Sequence, residues 1–194
     1  SVALLAHPVG AGKTAVMITA AMELIRLKLA TKTMIVVQNA TLQQFAEFAP
    51  KLYPTARILV ATRQDLVKEK RKRFLGRIAT GQWDIIIIAQ SSFNMIEDNP
   101  DLVRAKYQAE LDEMEHVQAA RDTVSQLNRR QKKAQEQRKR SLKKNLDKLK
   151  DRHASEDIVY FDQLGVDCLF IDEVHSYKRN FFITKMTRVK GLDN

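Results

Sequence analysis

The chain has 194 residues, with 33 Lys+Arg against 23 Asp+Glu (formal net charge +10), one cysteine, six glycines, four prolines and 44% hydrophobic residues. That length accommodates one domain, or one domain with an insertion, and the apolar content excludes wholesale disorder. Cys168, being alone, cannot form an internal disulfide or a cysteine-rich zinc site, which fits a reducing compartment, and no apolar run reaches the ~18–20 residues that span a bilayer.

The chain opens on Ser rather than Met, and SVALLAHPVG has neither a basic n-region nor a small-residue cleavage site. No signal peptide is expected, a cytoplasmic location is, and the opening reads as a cut from a longer protein. Strands are predicted at Val2–Ala6, Thr33–Gln38, Arg57–Ala61, Asp84–Ala89 and Asp167–Asp172. Several are continuously apolar, as suits central strands of a parallel sheet covered on both faces. Helical patterns separate them: Lys13–Leu29, Thr41–Phe48, roughly Gln64–Ala79, and one starting near Ser91. In the first, Val16, Ala20, Leu24 and Leu27 form one apolar stripe, widened by Met17 and Ala21. Repeated β-α-β units with short links predict an α/β fold with an open, doubly wound parallel sheet.

One stretch departs from this pattern. From about Asn99 to His153 there is no strand candidate and no glycine, while apolar residues from Val103 to Leu127 recur at helical spacing. Thr123 and Gln126 form a capping-box pattern, so one helix is predicted to end near Asp122 and a second to begin there. Charge divides the arms. Residues 97–122 hold eight acidic and three basic side chains, whereas 129–152 hold twelve basic and three acidic ones, almost the whole net charge. The predicted organisation is an α/β lobe over residues 1–96 and 156–194, with a charged helical hairpin inserted at 97–155. The basic arm, including Arg129, Arg130, Lys132, Lys133, Arg138, Lys139, Arg140, Lys143 and Lys144, either grips phosphates, pairs with the acidic arm, or docks on another part of the parent protein.

The chemistry concentrates in two short motifs. HPVGAGKT, His7 to Thr14, lies between a predicted strand and an amphipathic helix, the context of a phosphate-binding loop. Gly10 and Gly12 let successive amides turn inward on a phosphate, with Ala11 between them, and the helix N-terminus adds partial positive charge. Lys13 then meets the β/γ-phosphates, and the Thr14 hydroxyl ligates Mg²⁺. His7 stands where the first glycine of the common pattern would be. The second motif, LFIDEVH, ends an apolar strand in Asp172-Glu173, with His175 two positions on. An acid there holds Mg²⁺, usually through water, and the next polarises the attacking water. Sheet topology brings two such loops together at the carboxyl ends of the strands.

These residues resemble helicase superfamily two, and within it the Swi/Snf-like translocases. Gly10–Thr14 match a first motif ending G-x-G-K-T without the leading glycine, and Asp172, Glu173 and His175 match D-E-x-H. Ile35–Pro54 looks like motif Ia and its helix, with Asn39 where many members carry proline, and Asp84–Phe93 looks like motif Ib. The loop together with the charged insertion is most similar to helicase regions of very large phage and mobile-element proteins, often fused to a DNA-adenine methyltransferase. Such relatives usually carry an acid where Pro8 stands.

The resemblance implies a RecA-like ATP-binding lobe, with ATP and Mg²⁺ as cofactors and a DNA backbone as partner. It assigns Lys13, Asp172, Glu173 and His175 to catalysis, and Thr41, Gln44, Ser91 and Ser92 to the nucleic-acid side, with no membrane. It also implies a second lobe bearing an arginine finger, beyond Asn194, without which the fragment hydrolyses ATP barely or not at all. The rival expectation is an interaction module with a vestigial nucleotide site that recruits partners through the hairpin.

Overall fold

The computed structural model describes residues 3–7, 10–121, 129–150, 153 and 158–174. These fall in two compact units. One joins the stretch ending at Glu97 to that beginning at Val159, and the other runs from Asp98 to Ile158.

Among the described residues the first unit is built on four strands, β1 (Thr33–Val37), β2 (Ile58–Ala61), β3 (Ile85–Ala89) and β4 (Cys168–Ile171). They lie in the order β2-β3-β1-β4, and every pairing is parallel. β1 and β3 are central, and each of their residues is buried. Alternation along them sends Met34, Val36, Ile86 and Ile88 to one face and Ile35, Val37, Ile85 and Ile87 to the other. On the second face sit α1 (Lys13–Arg26), through Met17, Ile18 and Ala21, and α2 (Leu42–Leu52), through Phe45 and Ala49. On the first sits α3 (Lys68–Thr80), through Phe74, Leu75 and Ile78. A parallel sheet covered on both faces is the predicted architecture, and it has the form of a RecA-like lobe.

Several predicted bounds shift, each for a local reason. Residues 3–7 form no strand, and Leu4 and Leu5 are exposed. Apolar composition supplies strand propensity, but without a hydrogen-bonded neighbour it makes no strand. α1 stops at Arg26 because Lys28 takes a left-handed conformation (φ 57°). There Leu29 N–H bonds Leu24 O at 2.9 Å and Lys28 N–H bonds Ile25 O at 2.9 Å, closing the helix as a Schellman motif. α2 runs through Pro50 to Leu52, past the expected end at Phe48. Buried Phe45 and Ala49 hold it to the sheet, and Tyr53 N–H still bonds Ala49 O at 2.9 Å. α3 starts at Lys68, later than Gln64, because Asp65 accepts from both the amide and the hydroxyl of Thr62 and closes a turn. β4 has partly exposed Cys168 and Leu169, because it is an edge strand among the described residues.

Trp83 seats against the end of α3. Its Nε1–H donates to Arg77 O at 2.9 Å at the end of α3, with the Arg77 guanidinium 5.2 Å from the ring centre. α3 is also held by Lys32, whose ammonium donates to Ile78 O (2.7 Å), Ala79 O (3.2 Å) and Leu164 O (3.1 Å). The first two carbonyls belong to the helix's last turn, where a cation is favoured. Burial lowers the Lys32 pKa.

The second unit consists of α5 (Pro100–Arg121) packed on α6 (Arg129–Leu149), α4 being the short Gln90–Phe93 helix of the first unit. Among the described residues, Leu111 and Leu142 are its buried apolar side chains. The predicted hairpin is present, and the predicted cap at Thr123 lies outside the described residues. Ion pairs join its arms: Arg138 grips Glu110 with three contacts of 2.7–3.0 Å, and Lys139 meets Glu115 at 2.7 Å. For these two cations the pairing expectation is met. The Lys139 ammonium holds the Glu115 carboxyl below its usual value.

Candidate functional site

The site begins at the N-terminus of α1. Gly12 occupies the N-cap with φ 76°, and Gly10 has φ 84°, both in the left-handed region. Around each, the space where a Cβ would stand is open to 4 Å, so glycine serves conformation there rather than close packing. No side chain caps the helix and no acid lies in its first turn, so its first amides are left for an anion. Gly10, Ala11 and Gly12 are exposed, and Lys13 and Thr14 are half-buried.

The second motif reaches the same place from the far end of the unit. β4 ends at Ile171, and its register is prolonged by Asp172 N–H donating to Val36 O at 2.8 Å. Glu173 then adopts φ 52°, a strained conformation for a non-glycine residue. The Lys13 ammonium donates to Glu173 Oε1 at 3.2 Å across a sequence separation of 160 residues, with each side chain one-third exposed. The two motifs therefore meet at one site, and Thr14 and Asp172 each adjoin one member of the contact. His175 lies outside the described residues.

Gln90 and Asn39, neither foreseen as a site residue, link the site to the neighbouring loops. Gln90, the first residue after β3, donates from Nε2 to Asp172 O at 3.0 Å. Ser91 Oγ donates to Asn39 Oδ1 at 2.7 Å, tying the loop after β3 to the loop after β1. Their only signal in the sequence is position, immediately beyond the carboxyl ends of predicted strands.

The residues expected on the nucleic-acid side fare differently. Gln44 and Ser91 are exposed. Thr41 is half-buried, and its hydroxyl turns back to Gln38 O at 3.2 Å instead of capping α2. Ser92 is 1% exposed and its hydroxyl has no partner among the described residues, so it presents nothing at the surface. The short α4 turns that side chain inward. Arg129, Arg130, Lys132 and Lys133 begin α6, and their side chains lie outside the described residues.

Among the described residues no group of three or more His, Cys, Asp or Glu side chains is placed to hold a metal ion. A magnesium ion bound with a polyphosphate needs no such cage, since one or two protein oxygens with phosphate and water complete its shell. Thr14 and Asp172 are the oxygen donors the sequence offers for it. Cys168 is half-buried on β4, and burial raises its thiol pKa, so it is not a reactive thiolate.

No helix among the described residues is long and apolar enough to cross a membrane. No curated protein and no solved structure matches the chain. A family model described as a probable helicase domain matches residues 2–194, nearly every residue. With two motifs 160 residues apart meeting at the uncapped start of a helix, and this match spanning both, the chain belongs to the probable helicase domain family.

Proposed function

We propose that the chain is the ATP-binding half of a DNA-dependent ATPase, a superfamily-two translocase of the Swi/Snf-like type from a large phage or mobile-element protein, in some relatives joined to a DNA-adenine methyltransferase. The Lys13–Glu173 contact carries this reading. It joins the cation of a phosphate loop to the acid that would activate water, and a vestigial turn has no need of that juxtaposition.

The amides of Gly10, Ala11 and Gly12 bind the triphosphate together with the α1 N-terminus. Lys13 exchanges its Glu173 partner for β- and γ-phosphate oxygens. Thr14 and Asp172 hold Mg²⁺, which when bound neutralises charge on the transferring phosphoryl group. Glu173, released from Lys13, orients the attacking water, and His175 relays nucleotide state to a second lobe. Gln90 fixes the backbone at Asp172. DNA is met through its phosphates at the loops after β1 and β3, by exposed Gln44 and by Ser91 once its hydroxyl leaves Asn39, whereas the Thr41 hydroxyl stays on Gln38 O.

The test is a melting experiment with nucleotide. Saturating Mg-ATP is expected to raise the unfolding midpoint of the wild-type chain, by linkage worth ~2.7 kcal/mol at a hundredfold excess over Kd, and to leave Lys13→Ala unmoved. Equal responses from the two proteins would remove the phosphate-loop assignment and favour an interaction module recruiting partners through the hairpin.

A further inference from the structure

The hairpin sorts its basic residues into two sets. Arg138 and Lys139 face α5 and are taken up by Glu110 and Glu115. Arg140, Lys144 and Lys148 follow one another at four-residue steps on α6, and all three are exposed. At 1.5 Å per residue they form a column about 12 Å long. The buried Leu142 lies on the opposite side of the helix, with Arg138 and Lys139 flanking it. Among the described residues no ion pair engages the column. Asp147, the nearest acid in sequence, is held by Lys150 at 2.8 Å. Glu136 stands one step before Arg140, where the column ends.

Like charges at i and i+4 repel, so this column weakens the isolated helix instead of supporting it. The two-arm ion pairs do not require it, because they use the other face. A surface that repels itself, with Asp147 taken up by Lys150 and no ion pair of its own among the described residues, is complementary to an external line of negative charge. We infer that the outward face of α6 is a nucleic-acid backbone surface, on which Arg140, Lys144 and Lys148 bind successive phosphates of one strand. About 12 Å is roughly 3.5 axial rises of a duplex strand, so the three long side chains stand over a run of about four phosphates. Aromatic side chains are absent from α6, so the contact is electrostatic and indifferent to sequence. The inference rests on the reading above only for its choice of nucleic acid as the polyanion.

The experiment measures affinity of the 194-residue chain for a short fluorescent DNA duplex over a series of salt concentrations. Replacing Arg140, Lys144 and Lys148 together by Gln should lower the slope of log K against log salt by about 3, near 1 per lost phosphate contact. Affinity at low salt should fall at least ~10-fold. Arg140→Lys, which keeps the charge, should retain both. Arg138→Gln with Lys139→Gln should lower the hairpin's stability yet leave the slope near the wild-type value. Should the triple variant lose helical circular dichroism, Lys144→Gln alone carries the test, with a slope change of about 1. An unchanged slope and affinity in helical variants would overturn the inference and leave the column a solvated face. A slope lost equally in the Arg138/Lys139 variant would overturn the assignment to the outward side. The nucleotide-dependent melting shift is read without DNA, so failure of one proposal is distinguishable from failure of the other.

Discussion

Glu173 shows how a single side chain is bent to a task. Its φ of 52° lies where a residue with a Cβ is disfavoured by about 1–2 kcal/mol, yet the position keeps an acid that meets Lys13 at 3.2 Å. Glycine would relieve that strain and remove the carboxylate at once. Glu173→Gly is therefore expected to be more stable to thermal unfolding than Glu173→Ala by roughly 1 kcal/mol, and under the proposed reading both lose ATP hydrolysis. If Ala proved the more stable of the two, the strain argument would fail. The acid was legible in LFIDEVH; its backbone conformation was not, because nothing local demands it.

Among the elements, the strands were legible because hydrophobic runs of β-branched residues admit few other fates. Thr33–Gln38 and Asp84–Ala89 became β1 and β3 with one residue trimmed from each. Helix ends were less so. Pro50 signals a stop in sequence, but packing of Phe45 and Ala49 on the sheet carries α2 past it. Lys28 occupies a left-handed cap where glycine would be the readable choice.

Strand starts also depend on partners distant in the chain. Asp84, before β3, accepts from Arg57 N–H at 2.8 Å and from the Arg57 guanidinium at 2.7 Å, before β2. The guanidinium hydrogen bond holds its carboxyl below the usual value. A depressed folded pKa means stability fully present above the unfolded value of about 4 and lost as pH falls through the folded one. Asp84→Asn should thus cost about 1–2 kcal/mol at pH 7, and the two melting midpoints should converge as pH drops below about 4. A difference that persisted undiminished in acid would show that the pairing's charge contributes nothing.

Taken as a molecule, the chain holds a sheet unit in which Lys13 meets Glu173 and a helical unit whose arms are tied by opposite charges. Under the proposed reading the lobe supplies only one side of a nucleotide crevice. ATP turnover by the 194-residue chain with DNA should then remain ~10³-fold or more below that of a two-lobed motor, the scale of a missing arginine finger. Steady-state phosphate release measures it, and a motor-like rate from this chain would contradict the two-lobe requirement.

The local pattern sufficed for the α/β class, the hairpin and the two chemical motifs, because periodicity, glycine spacing and charge runs act over a few residues and leave their mark in the order of amino acids. It was folding that brought Lys13 to Glu173, linked Gln90 to Asp172, buried Ser92 and parted Arg138 and Lys139 from Arg140 and Lys144. Each of those outcomes depends on which residues become neighbours once strands align and helices pack, and separation along the chain carries no record of that.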